Sequence, residues 1–205
     1  MNMRFPHDGR HFEALLIFGT NSMTQLAPRP TDALFGQQWH LLNTGQTGGI
    51  SGIDANLMAA WPLATGRGVT IGIVDDGFQL DHPDLAGRFS TTLGWDAVDR
   101  DATPSASGFN NHGTAVAGVI GAALDGAGTV GVAHGATLVG YRVAYGTAGT
   151  VDMFASQLRR AAETDVVNNS WGYTGFFTDN FRNPAVSALE QALEHGVTAG
   201  RDGLC

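Results

Sequence analysis

Two acidic residues and a histidine have the types and spacing expected of a reaction centre. Asp75 and Asp76 directly follow an apolar, β-branched run, and Gly77 allows another backbone to come close. His112 lies further along the chain, immediately before Gly113. Paired carboxylates can hold a divalent cation at a phosphoacceptor site. Alternatively, an Asp can orient a His that acts as general base for a Ser. An Asp-Gly in an ordinary turn is the third interpretation.

The composition helps to choose between these chemistries. The 205 residues carry a formal net charge of −8, and all 11 basic residues are Arg. Receiver-like phosphoacceptor sites, P-loops and Schiff-base or pyridoxal chemistry each need a Lys, so these classes are excluded. The acidic balance argues against nucleic acid or an anionic membrane surface as a partner. No apolar run reaches the roughly 18 residues that a membrane helix requires. The Asp–His–Ser interpretation is therefore favoured.

The apolar pattern indicates alternating strands and helices that would position these side chains. We predict strands at 68–74, 136–144 and 165–170, and helices at 112–124, 151–164 and 183–194. Gly196 is expected just past the end of the last helix. This alternation is typical of an α/β domain with a mainly parallel sheet flanked by helices. Functional groups gather at the carboxyl ends of parallel strands, which is where Asp75 is expected.

The chain suits one domain, because 43% apolar residues can build a core of ordinary size. We expect residues 1–28 to be a leader or a disordered N-terminal segment, and residues 29–205 to belong to the domain. The sequence stops shortly after a predicted helix and turn, which would leave an open edge strand. We therefore expect that the C-terminal part of the domain is missing. The single cysteine, Cys205, excludes an intrachain disulfide.

Residues from about 30 to 204 resemble the subtilisin-like serine peptidases, in their kexin/furin-like branch. The blocks that carry this resemblance are Ile73-Val-Asp-Asp-Gly77 with His82-Pro-Asp-Leu85, His112-Gly-Thr with Ala117-Gly118, and Asn169-Ser-Trp-Gly172. Residues 196–203 also match that branch, and 30–32 with 37–39 resemble the start of its catalytic domain. The resemblance implies a subtilisin-like three-layer fold and peptide hydrolysis by an Asp-His-Ser triad.

The resemblance also implies a role for each site residue. Asp75 would be the triad Asp, His112 the general base, and Asp76 a residue beside the substrate-binding cleft. The strand edge that pairs with an extended peptide or protein substrate would be Ser170, Trp171 and Gly172. Pairing through main-chain hydrogen bonds lets such an edge accept many sequences. An extracellular or periplasmic location is implied by the family alone.

A structural calcium is a further implication of the resemblance. Its carboxylate ligands would be Asp32, Asp84 and Asp125, and the candidate carbonyl ligands are Ala123, Ala127 and Thr129. Calcium prefers such hard oxygen ligands, although three aspartates in ordinary turns are the simpler interpretation. Four other aspartates are expected to be solvated loop charges, namely Asp81, Asp96, Asp99 and Asp101.

The sequence departs from the family pattern at two points. It contains neither Gly-Thr-Ser nor Gly-x-Ser-x-Gly, and Ser170 has no base arranged for it, so we expect the chain as given to be inactive. A non-catalytic remnant or peptide-binding module is the alternative function. The residues at 173–177 are aromatic-rich where furin-like enzymes have a pair of acids. We therefore do not expect dibasic specificity or a second calcium site.

Overall fold

In the part of the chain that the structure describes, a four-stranded parallel sheet forms the centre. The structure is a computed structural model and describes residues 26–172 and 183–203. The strands are β1 Thr70–Asp75, β2 Trp95–Asp96, β3 Thr137–Arg142 and β4 Val166–Asn169. Their spatial order is β2-β3-β1-β4, and every neighbouring pair is parallel. The predicted α/β class with a parallel sheet is confirmed, although the two-residue strand β2 was not predicted.

The described ranges contain four α-helices beside the sheet: α1 Leu57–Ala60, α2 His112–Gly121, α3 Val151–Ala161 and α4 Ser187–Ala199. Helix α4 continues through Gly196 and is followed by Gly200, so the expectation that Gly196 lies past its end is wrong. Leu189 and Ala192 of α4 pack into the core beside α3. We infer that this packing outweighs the cost of about 1 kcal/mol of a glycine inside a helix. No helix within the described ranges is both long and apolar enough to cross a membrane.

The helices lie on both faces of the sheet, which gives the expected three layers. Successive residues of a strand point to opposite faces. Val74 of β1 belongs to an apolar cluster with Leu158 of α3 and residues of α4. Its neighbour Ile73 belongs to a second cluster with Ala117 of α2. Helices α3 and α4 therefore pack on one face of β1 and α2 on the other.

The predicted leader, residues 1–28, falls mostly outside the described residues. Its last part is described, and there the backbone N–H of Ala27 donates to the carbonyl of Met58 at 2.8 Å. Ala27 also packs against a small third cluster around Phe35 and Trp61. Ordered packing thus includes Ala27, which lies before the boundary that was predicted at Pro28.

Helix α2 approaches β1 so closely that one of its positions must be glycine. A Cβ on Gly113 would lie 2.5 Å from the carbonyl oxygen of Gly77 and 2.9 Å from Cβ of Asp75. We predict that Gly113→Ala lowers the free energy of unfolding by about 1–3 kcal/mol through overpacking. A Cβ on Gly118 of the same helix would have no atom within 4 Å, so Gly118→Ala should raise the free energy of unfolding by up to about 1 kcal/mol. Urea denaturation of both variants measures the contrast, and equal stabilities would contradict the close approach.

Candidate active site

Asp75 and His112 meet at the carboxyl end of the sheet. Asp75 is the last residue of β1 and is fully buried, while His112 is the first residue of α2. The His112 Nδ1 lies 2.8 Å from the Asp75 Oδ1, and the His112 side chain remains 50% exposed. The structure therefore brings together the two residues that were predicted to be the triad Asp and the general base. One imidazole nitrogen is held by the carboxylate, which leaves Nε2 for proton transfer.

The Asp75 carboxylate sets the electrostatics of His112. Its hydrogen bond to His112 raises the pKa of the imidazole, and the negative charges of Asp75 and Asp76 add to the effect. Partial burial of the ring opposes the shift because it disfavours the imidazolium. The net pKa of His112 lies above its usual value of about 6.5. The pair thus stabilises the charged form that a general base takes up during reaction.

Asp76 points away from its neighbour and caps helix α2. Its Oδ1 accepts a hydrogen bond from the backbone N–H of Gly113 at 2.8 Å, and its Oδ2 accepts from that of His112 at 3.4 Å. A carboxylate at a helix N-terminus interacts favourably with the helix dipole. Asp76 is only 7% exposed, and its two hydrogen bonds hold the first turn of α2. Its predicted role in substrate binding stays a prediction.

A cleft of about 580 Å³ opens in front of His112. Ser170, Trp171 and Gly172 follow β4 and line this cleft together with His112, so the predicted substrate edge and the predicted base share one cavity. The Ser170 Oγ accepts a hydrogen bond from Asn168 Nδ2 at 2.9 Å. No acidic side chain belongs to the described lining of the cleft.

Three aromatic side chains form one wall of the cleft. Tyr145 stacks on Phe154 with ring centroids 6.2 Å apart, and Phe154 contacts Trp171 with centroids 4.5 Å apart. The Trp171 indole N–H is buried without a hydrogen-bond partner among the described residues. The residues at 173–177, which were expected to form an aromatic loop here, lie outside the described residues. The described wall is thus apolar with one unused donor.

Tyr145 is a site residue that sequence reasoning missed. Its hydroxyl donates to the Asp75 Oδ1 at 3.0 Å, and its ring lines the cleft. Burial and the charge of Asp75 raise the pKa of Tyr145, so the phenol keeps its proton. No local pattern signals this contact, because the two residues are 70 positions apart.

Arg142 is the second missed residue, and it overturns one expectation about charge. It ends β3 beside Asp75, is 4% exposed and donates through Nη1 to the Asp96 Oδ2 at 2.8 Å and to the Asp99 Oδ2 at 2.7 Å. The expectation that Asp96 is a solvated loop charge is wrong, because Asp96 is fully buried in this ion pair. Arg142 Nε also donates to the carbonyl of Asp76 at 3.2 Å. An Arg inside an apolar strand run was the available signal, since a buried charge needs a partner.

The aspartates of the predicted calcium site converge on one loop, residues 122–130. Asp32 is 4% exposed, and its Oδ1 accepts from the backbone N–H groups of Asp125 and Gly126, both at 3.1 Å. Asp84 Oδ2 accepts from the backbone N–H and the hydroxyl of Thr129 at 2.9 and 2.8 Å. The Asp32 Oδ2 is buried and has no described partner. Two carboxylates from distant segments thus hold the same loop.

The third predicted carboxylate ligand is arranged differently. Asp125 is exposed, and its Oδ1 accepts from the backbone N–H of Ala127 at 3.0 Å. Within the described residues, no three acidic, His or Cys side chains form a group that could hold a metal ion. A cation here would therefore depend on Asp32, Asp84 and backbone carbonyls. The Gly128 carbonyl accepts from Leu34, whereas the carbonyls of Ala123, Ala127 and Thr129 accept no hydrogen bond from a described residue.

The raised pKa of His112 predicts a pH-dependent coupling with Asp75. A raised folded-state pKa means that the imidazolium–carboxylate contact stabilises the fold fully below the unfolded pKa and that this contribution is lost as pH rises through the folded pKa. The test is a double-mutant cycle of His112→Gln and Asp75→Asn, measured by urea denaturation between about pH 5 and pH 9, a range that spans the usual His pKa of about 6.5. We expect the coupling energy between the two residues to fall as pH rises. A coupling that rises with pH would contradict the assignment.

Comparisons with known proteins agree with this geometry. A model of the subtilase family matches residues 66–201. Neuroendocrine convertase 2 of Homo sapiens is 36% identical over 194 residues, which cover 90% of this chain and 30% of that protein. The protein of the same name from Drosophila melanogaster is 37% identical over 184 residues, which cover 85% of this chain and 28% of that protein.

A solved structure gives the same result. The serine protease of Aeromonas sobria, in complex with the chaperone ORF2, superposes with a TM-score of 0.70 and 29% identity over 90% of this chain and 32% of that chain. The chain spans about 30% of the length of the curated relatives it matches. The matched motifs, the three-layer fold and these likenesses show that the chain belongs to the subtilase family of serine peptidases, in its kexin/furin-like branch.

Proposed function

We propose that the chain carries the Asp and the His of the catalytic triad of a serine endopeptidase. The observation that supports this is the 2.8 Å contact between buried Asp75 and half-exposed His112 at the mouth of a cleft. In acyl transfer, a Ser hydroxyl attacks the peptide carbonyl carbon, and His112 Nε2 takes the hydroxyl proton and returns it to the leaving amine. Asp75 holds Nδ1–H in place and stabilises the imidazolium that forms between these two steps.

The nucleophile is the part of the triad that the 205 residues do not supply. Gly-Thr-Ser is absent from the sequence, and the Ser170 hydroxyl is engaged by Asn168. Loss of the Ser leaves only the residual catalysis of binding and transition-state stabilisation. A polypeptide of these residues is therefore proposed to bind peptides without cleaving them. Coding DNA read beyond codon 205 separates the two candidate functions. An in-frame or frame-shifted continuation that carries the Gly-Thr-Ser block, together with the Asn that supplies the oxyanion hole in the family, favours a peptidase, and its absence favours a peptide-binding module.

The substrate is proposed to be an extended peptide that pairs with the chain after β4. Strand β4 has a hydrogen-bonded neighbour only on its β1 side within the described sheet. An extended peptide can add to such an edge through main-chain hydrogen bonds. The aromatic wall of Tyr145, Phe154 and Trp171 favours apolar side chains, and the described lining offers no carboxylate to pair with Arg or Lys. The proposed preference is thus apolar over dibasic.

The peptide preference can be measured with two blocked hexapeptides, one with Phe and Leu at its centre and one with Arg and Arg. We expect tryptophan fluorescence titration to show tighter binding of the apolar peptide, and chromatography to show neither peptide cleaved. Phe154→Ala should weaken the apolar peptide about tenfold, which corresponds to about 1.4 kcal/mol. Phe109→Ala is the matched control, because Phe109 is fully exposed and does not line the cleft. Tighter binding of the Arg peptide would refute the preference.

We also propose that calcium binds at the loop 122–130. The residues that would hold it are Asp32 and Asp84, with the backbone carbonyls of Ala123, Ala127 and Thr129, and bound calcium would neutralise the two carboxylates and tie three segments together. The buried Asp32 Oδ2 without a described partner supports this assignment. Such a site suits an extracellular or periplasmic protein, the location that we propose.

Removal of calcium is expected to destabilise the chain. At a calcium concentration about 100 times Kd, mass action contributes about 2.7 kcal/mol, so the melting temperature should fall by about 5–10 °C when EDTA replaces calcium. Asp32→Asn and Asp84→Asn should abolish the difference. Asp81→Asn is the control, since Asp81 is an exposed loop residue near Asp84. Equal melting temperatures of the unmutated chain in calcium and in EDTA would refute the proposed calcium site.

A further inference from the structure

One oxygen of the buried Asp75 carboxylate receives three hydrogen bonds. The Asp75 Oδ1 accepts from the backbone N–H of Asp76 at 2.8 Å, from His112 Nδ1 at 2.8 Å and from the Tyr145 hydroxyl at 3.0 Å. The other oxygen, Oδ2, is buried and has no described partner. Because a carboxylate oxygen offers about two lone-pair sites, the donors share its electron density. The imidazole of His112 therefore competes with a phenol for the same atom.

Stacking on one face of the ring supports the direction of the Tyr145 hydroxyl. Tyr145 follows β3 and precedes a short 3₁₀ helix, Gly146–Ala148, whose first residue has a positive φ of 67° that favours glycine. The Tyr145 ring lies nearly parallel to that of Phe154, with an interplanar angle of 16°. This stacking supports the ring orientation that directs the hydroxyl to Asp75, while 38% of the residue remains exposed.

We propose that Tyr145 is a positioning residue for the Asp75–His112 pair: its hydroxyl holds the carboxylate in the orientation that His112 uses and limits the strength of the contact between them. This rests on the roles given to Asp75 and His112 under the proposed function. Donation from the phenol disperses part of the negative charge on Oδ1, so the carboxylate attracts the imidazolium less strongly. His112 consequently keeps the neutral, proton-accepting form down to a lower pH than Asp75 alone would allow.

Among the described residues, the titratable groups around His112 come from two segments. Asp75 ends β1 and Asp76 follows it, while Tyr145 lies in the loop after β3 and reaches the pair through Asp75. The nearby Arg142 is engaged by Asp96 and Asp99 on its other side. The elevated pKa of Tyr145 keeps the phenol protonated while His112 titrates, so it acts as a donor throughout.

The test is the titration of His112 in the whole 205-residue chain, followed by NMR of the imidazole Cε1–H and assigned with His112→Gln. We expect Tyr145→Phe to raise the pKa of His112 by about half a unit, because Asp75 loses a competing donor. Tyr141→Phe is the matched control, since the Tyr141 hydroxyl donates to the Arg160 carbonyl at 3.2 Å and not to Asp75. In an Asp75→Asn background the effect of Tyr145→Phe should vanish.

An unchanged or lowered pKa of His112 in Tyr145→Phe would overturn the proposal. If that variant folds poorly, Tyr145→Leu also removes the hydroxyl and must shift the pKa in the same direction. The titration needs no turnover, so its failure is distinguishable from failure of the proposed function. A longer polypeptide that carries the Gly-Thr-Ser motif allows both to be tested. If Tyr145→Phe raises the pKa of His112 there but the polypeptide cleaves no peptide, the proposed peptidase function is refuted and the positioning role of Tyr145 stands.

Discussion

The rest of the site depends on the burial of one carboxylate. Asp75 has no solvent exposure at the end of a central strand, and an ion in that position is costly unless donors surround it. The donors come from three separate segments: the next peptide unit, the start of α2 and the loop after β3. Each segment must hold its position for the Asp75 Oδ1 to keep its three donors, while Oδ2 has no described partner. Moving any of these segments away would leave the buried charge with fewer donors, and this cost favours the ordered arrangement.

The neighbouring Asp76 shows how adjacent carboxylates can take different tasks. Asp75 faces the imidazole, while Asp76 binds the first amides of α2 and so fixes the helix that carries the imidazole. This arrangement requires Gly113, because any side chain there would strike β1. Below it, the Arg142 ion pair with buried Asp96 ties the Asp76 carbonyl to the sheet edge. The His112 ring is thus positioned by Asp75, which contacts it, and by Asp76, which holds the start of its helix.

The cleft in front of His112 differs, in the chemistry of its wall, from the charged groups around Asp75 and Arg142. Its described wall consists of aromatic rings and backbone, whereas the charged groups lie behind it, in contact with one another. His112 and Tyr145 belong to both sides, because both line the cleft while His112 contacts Asp75 and the Tyr145 hydroxyl donates to it. At the loop 122–130, the same principle of distant carboxylates holding one loop recurs with Asp32 and Asp84.

The sequence by itself determined the strand–helix alternation, the parallel sheet, and the identity of Asp75 and His112 as partners, because local periodicity and short motifs carry that information. Element ends moved by only a few residues, except in α4, where packing extended the helix past Gly196. Only the tertiary structure decided that Asp76 caps α2, that Asp96 is buried by Arg142, and that Tyr145 shares the Asp75 oxygen. These contacts join residues 36 to 70 positions apart, so they follow from how the strands and helices pack and leave no mark in local sequence patterns.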